Sequence, residues 1–86
     1  GIEERCWFDV VPILDRKTGV TLRVSNCVQA GEILLHKWPA KPGPSHREAR
    51  RALYDALSNW SDRRATERAG EAFRKAARDA RILAER

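Results

Sequence analysis

The chain has 86 residues and a formal net charge of +5, from 17 Lys and Arg against 12 Asp and Glu. That length excludes two independently folded domains, because neither half would own enough core. The charge favours polyanions without demanding them, and no run of about 18 apolar residues offers a membrane span.

No basic segment leads into an apolar one, so no signal peptide is visible and a cytoplasmic location is the expectation. The chain opens on Gly1 and contains no methionine, the mark of a processed chain, a piece of a longer protein, or a tag-cleavage scar. The basic excess sits late: residues 1 to 44 hold 6 basic and 5 acidic side chains, and residues 45 to 86 hold 11 and 7.

Taken in chain order, Trp7 to Leu14 is rich in aromatic and β-branched residues, and Val20 to Ser25 alternates Val20, Leu22 and Val24 with polar neighbours. Both read as strands of one antiparallel hairpin spanning about 7 to 25, with Asp15 to Gly19 as its loop. Placing Leu14 opposite Val20 sets Pro12 against Leu22 and Val10 against Val24, so that Phe8, Val10, Pro12 and Leu14 form the core face. Pro12 has no N–H to give a ladder and should face an edge. The other face carries Trp7, Val11 and Ile13. These three are the candidate protein interface, unless a helix wraps onto that side and buries them.

Ser25 or Asn26 can cap a first helix, about 26 to 38, with Gln29 placed for a reciprocal cap of Asn26, and its stripe runs through Cys27, Ala30, Leu34 and Trp38. Pro39 to Pro44 has too much proline for a helix and forms a stiff linker. Ser45 with Glu48 reads as a capping box for a second helix, about 45 to 60, with Ala49, Ala52, Leu53, Ala56, Leu57 and Trp60 on one side. Ser61 or Asp62 caps a third, about 62 to 84, striped by Ala65, Ala69, Ala72, Phe73, Ala76, Ala77, Ala80, Leu83 and Ala84. Gly70 interrupts it at a cost of about 1 kcal/mol relative to alanine. The fold expected is a single α+β domain, a two-stranded antiparallel hairpin packed on three helices.

Phe8 with Pro12-Ile13, Val24-Ser25-Asn26, Ala30, Leu34-Leu35, Trp38-Pro39, Gly43-Pro44, His46 and Ala49-Arg50 form a string of landmarks, continued by Ala69, Ala72-Phe73, Ala76-Ala77, Ala80 and Ile82. In these the chain resembles the short bacterial proteins grouped as domain-of-unknown-function family nine-eight-two. Its most specific piece is Trp-Pro, a short Gly-Pro linker and His. Three positions depart from the pattern: Gly70 stands where arginine is expected, Arg74 where an apolar residue is, and Arg81 where glycine is. The resemblance implies a small fold of two strands plus helices in a bacterial cytoplasm, and brings no catalytic residues with it.

Chemistry-bearing residues are few. Cys6 and Cys27 come near one another in the hairpin register and are expected as two small buried thiols in a reducing cytosol, with a redox pair or half a metal site as the sharper alternative. His36 and His46 lie at no metal-ligand spacing, so no structural metal is expected. His46 follows the cap of helix two with no nucleophile or acid in a catalytic order, and reads as a surface or linker-packing histidine. No catalytic residue and no cofactor is assigned.

Arg64, Arg68, Arg74 and Arg78 on helix three could reach phosphates. Glu67, Glu71 and Asp79 lie among them, however, and no aromatic residue interleaves to stack on bases, so a solvated, internally paired face is the plainer reading. The expectation is a non-enzymatic accessory or protein-interaction module, its partner unknown or a second copy of itself. Weak electrostatic nucleic-acid binding is the alternative.

Overall fold

A computed structural model describes residues 6–39, 41–59 and 61–84. Two strands, β1 (Trp7–Leu14) and β2 (Thr21–Asn26), pair antiparallel, and three helices follow: α1 (Cys27–His36), α2 (Pro44–Ser58) and α3 (Arg63–Asp79). The architecture is α+β, with β1 packed on α3, β2 on α1, and α2 along α3. Trp60, assigned from sequence to the end of the second helix, lies outside the described residues.

The hairpin register differs by one residue from the expected one. Leu14 pairs with Thr21, Ile13 with Leu22, Pro12 with Arg23 and Val11 with Val24. The turn chemistry is the cause. Asp15 Oδ1 accepts from the Lys17 N–H, Gly19 takes φ 75°, and the Asp15 N–H donates to the Val20 carbonyl, so the loop closes one residue later than the glycine suggested. A slip of one turns a strand over. Val11, Ile13 and Val24 therefore face the core, while Leu14 and Val20 are exposed.

Toward the start of β1 the ladder breaks, because Trp7 pairs with Asn26 and the residues between Trp7 and Val11 outnumber those opposite. This bulge lets Phe8 and Val11, three positions apart, both point inward. Phe8 lies on Gly70 of α3: a Cβ there would stand 2.7 Å from Phe8 Cγ. The glycine that interrupts the helical stripe is thus a point where strand and helix approach too closely for a side chain.

Pro12 faces the edge of the hairpin as expected, and that edge is partly paired. The Leu14 N–H donates to the Ile82 carbonyl and the Ala84 N–H to the Pro12 carbonyl, forming an isolated bridge between Ile13 and Leu83 that asks no N–H of the proline.

That bridge requires α3 to stop at Asp79, short of the 84 expected. Arg81 adopts φ 60°, the Arg81 N–H donates to the Arg78 carbonyl and the Ile82 N–H to the Ala77 carbonyl. This is the double bond of a Schellman cap, closed by buried Ile82 beside buried Ala77. Arg81 occupies the left-handed position that glycine usually fills, the residue expected there from the resemblance.

The other helix ends follow local chemistry. Asn26 Oδ1 accepts from the Gln29 N–H while Gln29 Oε1 accepts from the Ser25 N–H, and Asp62 accepts from the Arg64 and Ala65 N–H groups. The capping box at Ser45 does not form. Gly43 is the N-cap without a side-chain bond, Pro44 opens α2, and Ser45 Oγ donates to Asp79 Oδ2 at 2.6 Å.

Candidate functional site

Charge on α3 was one candidate, and its four arginines fan across the solvent side of the helix. At about 100° per residue, Arg68 and Arg74 lie about 120° apart around the axis. Arg68 borders a hollow toward α2 with Arg51 and Asp55, whereas Arg74 leans over β1 and donates to the Val10 carbonyl at 3.2 Å. Arg78 and Arg64, both exposed, fall between them at steps of about 40°. Glu67 and Glu71 lie within the same arc, and Arg63 meets Glu67 at 3.4 Å. The apolar residue expected at position 74 is a cation because it holds a strand carbonyl.

The interface expected on the hairpin is corrected at Val11 and Ile13. Val11 and Ile13 are 1% and 2% exposed and belong to the protein's own core, because the register turns them inward. Trp7 remains at the surface, 45% exposed, its carbonyl accepting a 2.6 Å bond from Arg63 Nη1.

Cys6 and Cys27, expected as thiols, are both buried and joined in a disulfide, with their Cα atoms 5.7 Å apart. The Cys27 N–H also donates to the Cys6 carbonyl, so the start of β1 is tied twice to the start of α1.

His46 is buried between α1 and α2. Its Nε2 lies 2.9 Å from the Leu34 carbonyl, one of the carbonyls that the end of α1 leaves without a helical partner. A carbonyl only accepts, so Nε2 carries a hydrogen, and Nδ1 is buried with no hydrogen-bond partner among the described residues. The Trp38 ring meets the imidazole edge-on at 5.2 Å and Phe73 at 6.3 Å. The Trp-Pro, Gly-Pro and His landmarks thereby form a clasp that turns the chain from α1 into α2 and fastens both to α3. His36, by contrast, is exposed at the end of α1.

The family model described as "Protein of unknown function (DUF982)" matches residues 11–84. The chain belongs to the DUF982 family. No curated protein and no solved structure matches it. Among the described residues of this DUF982 domain there is no group of three His, Cys, Asp or Glu placed to hold a metal, and no helix long and apolar enough to cross a membrane.

A surface that the stripe assignments passed over is the outward side of α1. Val28 and Leu35, seven residues apart and so on one face, are 48% and 64% exposed. Gly31 lies between them with nothing within 4 Å of where its Cβ would be. The signal was in the sequence, as the second apolar side of a helix whose first side is Cys27, Ala30 and Leu34.

Proposed function

We propose that this DUF982 domain is a non-enzymatic accessory module that works by protein contact, and that a second copy of the chain is one of its partners. The observation that carries the reading is the outer face of α1. An interior glycine costs a helix about 1 kcal/mol relative to alanine. No atom of the described chain needs the space over Gly31, while Val28 and Leu35 flank it in solvent. A flat apolar strip of this kind suits another helix laid against it, backbone close to backbone.

Supporting the non-enzymatic half is the employment of the residues that could do chemistry. His46 caps α1, Cys6 is bonded to Cys27, and Arg63 and Arg74 hold β1 carbonyls. The setting we propose is a bacterial cytoplasm, on the strength of the family resemblance.

Sedimentation over a range of concentrations tests self-association. Wild type should shift from monomer to dimer, and Val28→Asp with Leu35→Asp should stay monomeric at unchanged melting temperature. A wild-type mass that stays monomeric up to about 1 mM, the affinity of only about 4 kcal/mol, would sink the reading.

A further inference from the structure

At the turn end of the hairpin, away from the α1 face, the chain encloses a cavity of about 320 Å³. Its floor is apolar: Ile13, Ile33 and Ile82 are at most 5% exposed, and Leu22 and Trp38 pack against them partly buried. Its rim is basic. Arg16, Lys17 and Lys37 border the opening with His36, against the single carboxylate of Asp15.

The rim charges are held in different ways. Arg16 Nη2 donates to the Arg81 carbonyl at 2.9 Å, which fixes the guanidinium beside Ile82, and Nε and Nη1 take no part in that bond. Asp15 Oδ1 already accepts the Lys17 N–H inside the turn. Three permanent cations over an apolar floor attract an anion and disfavour a cation of the same shape. The walls come from the hairpin loop, β2, the end of α1, the Trp38-Pro39 segment and the tail after α3, so the space is concave on several sides and not a groove. A volume of about 320 Å³ falls at the lower end of the range of small-molecule sites.

We propose that this cavity binds a small amphipathic anion, an aliphatic or aromatic body carrying one carboxylate or similar acid. The body lies on Ile13, Leu22, Ile33 and Trp38, and the acid meets Lys17, Lys37 and Arg16 at the mouth. This site is separate from the α1 face and does not rest on self-association.

The test is an NMR titration of the ¹⁵N-labelled domain with octanoate, 1-octanol and octyltrimethylammonium. Octanoate should give saturable shifts at the Trp38 indole N–H and at the Thr18 and Ile33 amides, at least about tenfold tighter than 1-octanol, with the cation weakest. The double variant Lys17→Glu with Lys37→Glu should lose about tenfold in octanoate affinity while keeping a folded spectrum. Val28→Asp with Leu35→Asp should bind octanoate as wild type does, whatever happens to the dimer. Absence of saturable shifts, or equal binding of octanoate and 1-octanol, overturns the proposal on wild-type protein alone. So does tighter binding of an acidic peptide with one apolar side chain, which would make the cavity a peptide anchor.

Discussion

The hairpin and the α2–α3 pair share one core but are held by different forces. Along α2 and α3 the buried positions are mostly alanine, with Leu53 and Phe73 as the large side chains, and each helix is built from bonds to its own near neighbours. The hairpin leans on groups far along the chain. Arg63 and Arg74 hold its carbonyls, residues 82 to 84 pair its outer edge, Phe8 rests on Gly70, and Cys27 anchors its start. A two-stranded ribbon alone is marginal in water, and here its geometry is dictated by what surrounds it. Helices can therefore be read from a window of residues, and this hairpin cannot.

The largest expected break in that contrast is Phe73→Ala. Phe73 is fully buried, and removing the ring should cost about 4 kcal/mol, lowering the denaturant midpoint for strand and helix signals together. A two-step transition in that variant would show that the halves are not one cooperative unit. Gly70→Ala separates them more finely. The added methyl favours the helix but runs into the Cβ and Cγ of Phe8, the stem of a side chain and not its flexible end. A net loss of about 2 kcal/mol is expected, with amide exchange rising in β1 before α3. An equal rise in both would deny the hairpin its separate weakness. The smallest effect runs the other way. Arg81→Gly should gain about 1 kcal/mol by relieving a left-handed backbone, and thermal melting reads it directly. A loss of stability there would mean that the arginine side chain matters more than its backbone conformation.

Element order and class were legible because hydrophobic spacing, Asn26, Asp62 and the prolines after Trp38 act locally. Illegible was whatever depends on distant partners. The loop offered Gly19 as its plain end, yet the Asp15 side chain closed the turn at Val20 and carried Val11 and Ile13 from the proposed interface into the core. The third helix continued on paper to Ala84 because an alanine stripe does not announce a left-handed arginine. Ser45 resembled a cap until Asp79, 34 residues away, took its hydroxyl. The three residues unexpected from the resemblance fall at such long-range points: Gly70 under Phe8, Arg74 on Val10, and Arg81 at the turn that sends the tail to β1. Of the surface sites, the α1 strip was readable as a second stripe. The basic-rimmed cavity was not, since its walls come from five separate segments.

The tail bridged to β1 has a consequence for how copies of this chain behave when crowded. An exposed strand edge invites a neighbour to add its own strand, the first step toward fibrils. On β1 the Leu14 N–H and the Pro12 carbonyl are already engaged, and proline offers no hydrogen between them. A stranger arriving at that side finds the ladder already engaged at these groups, which opposes sheet growth along β1.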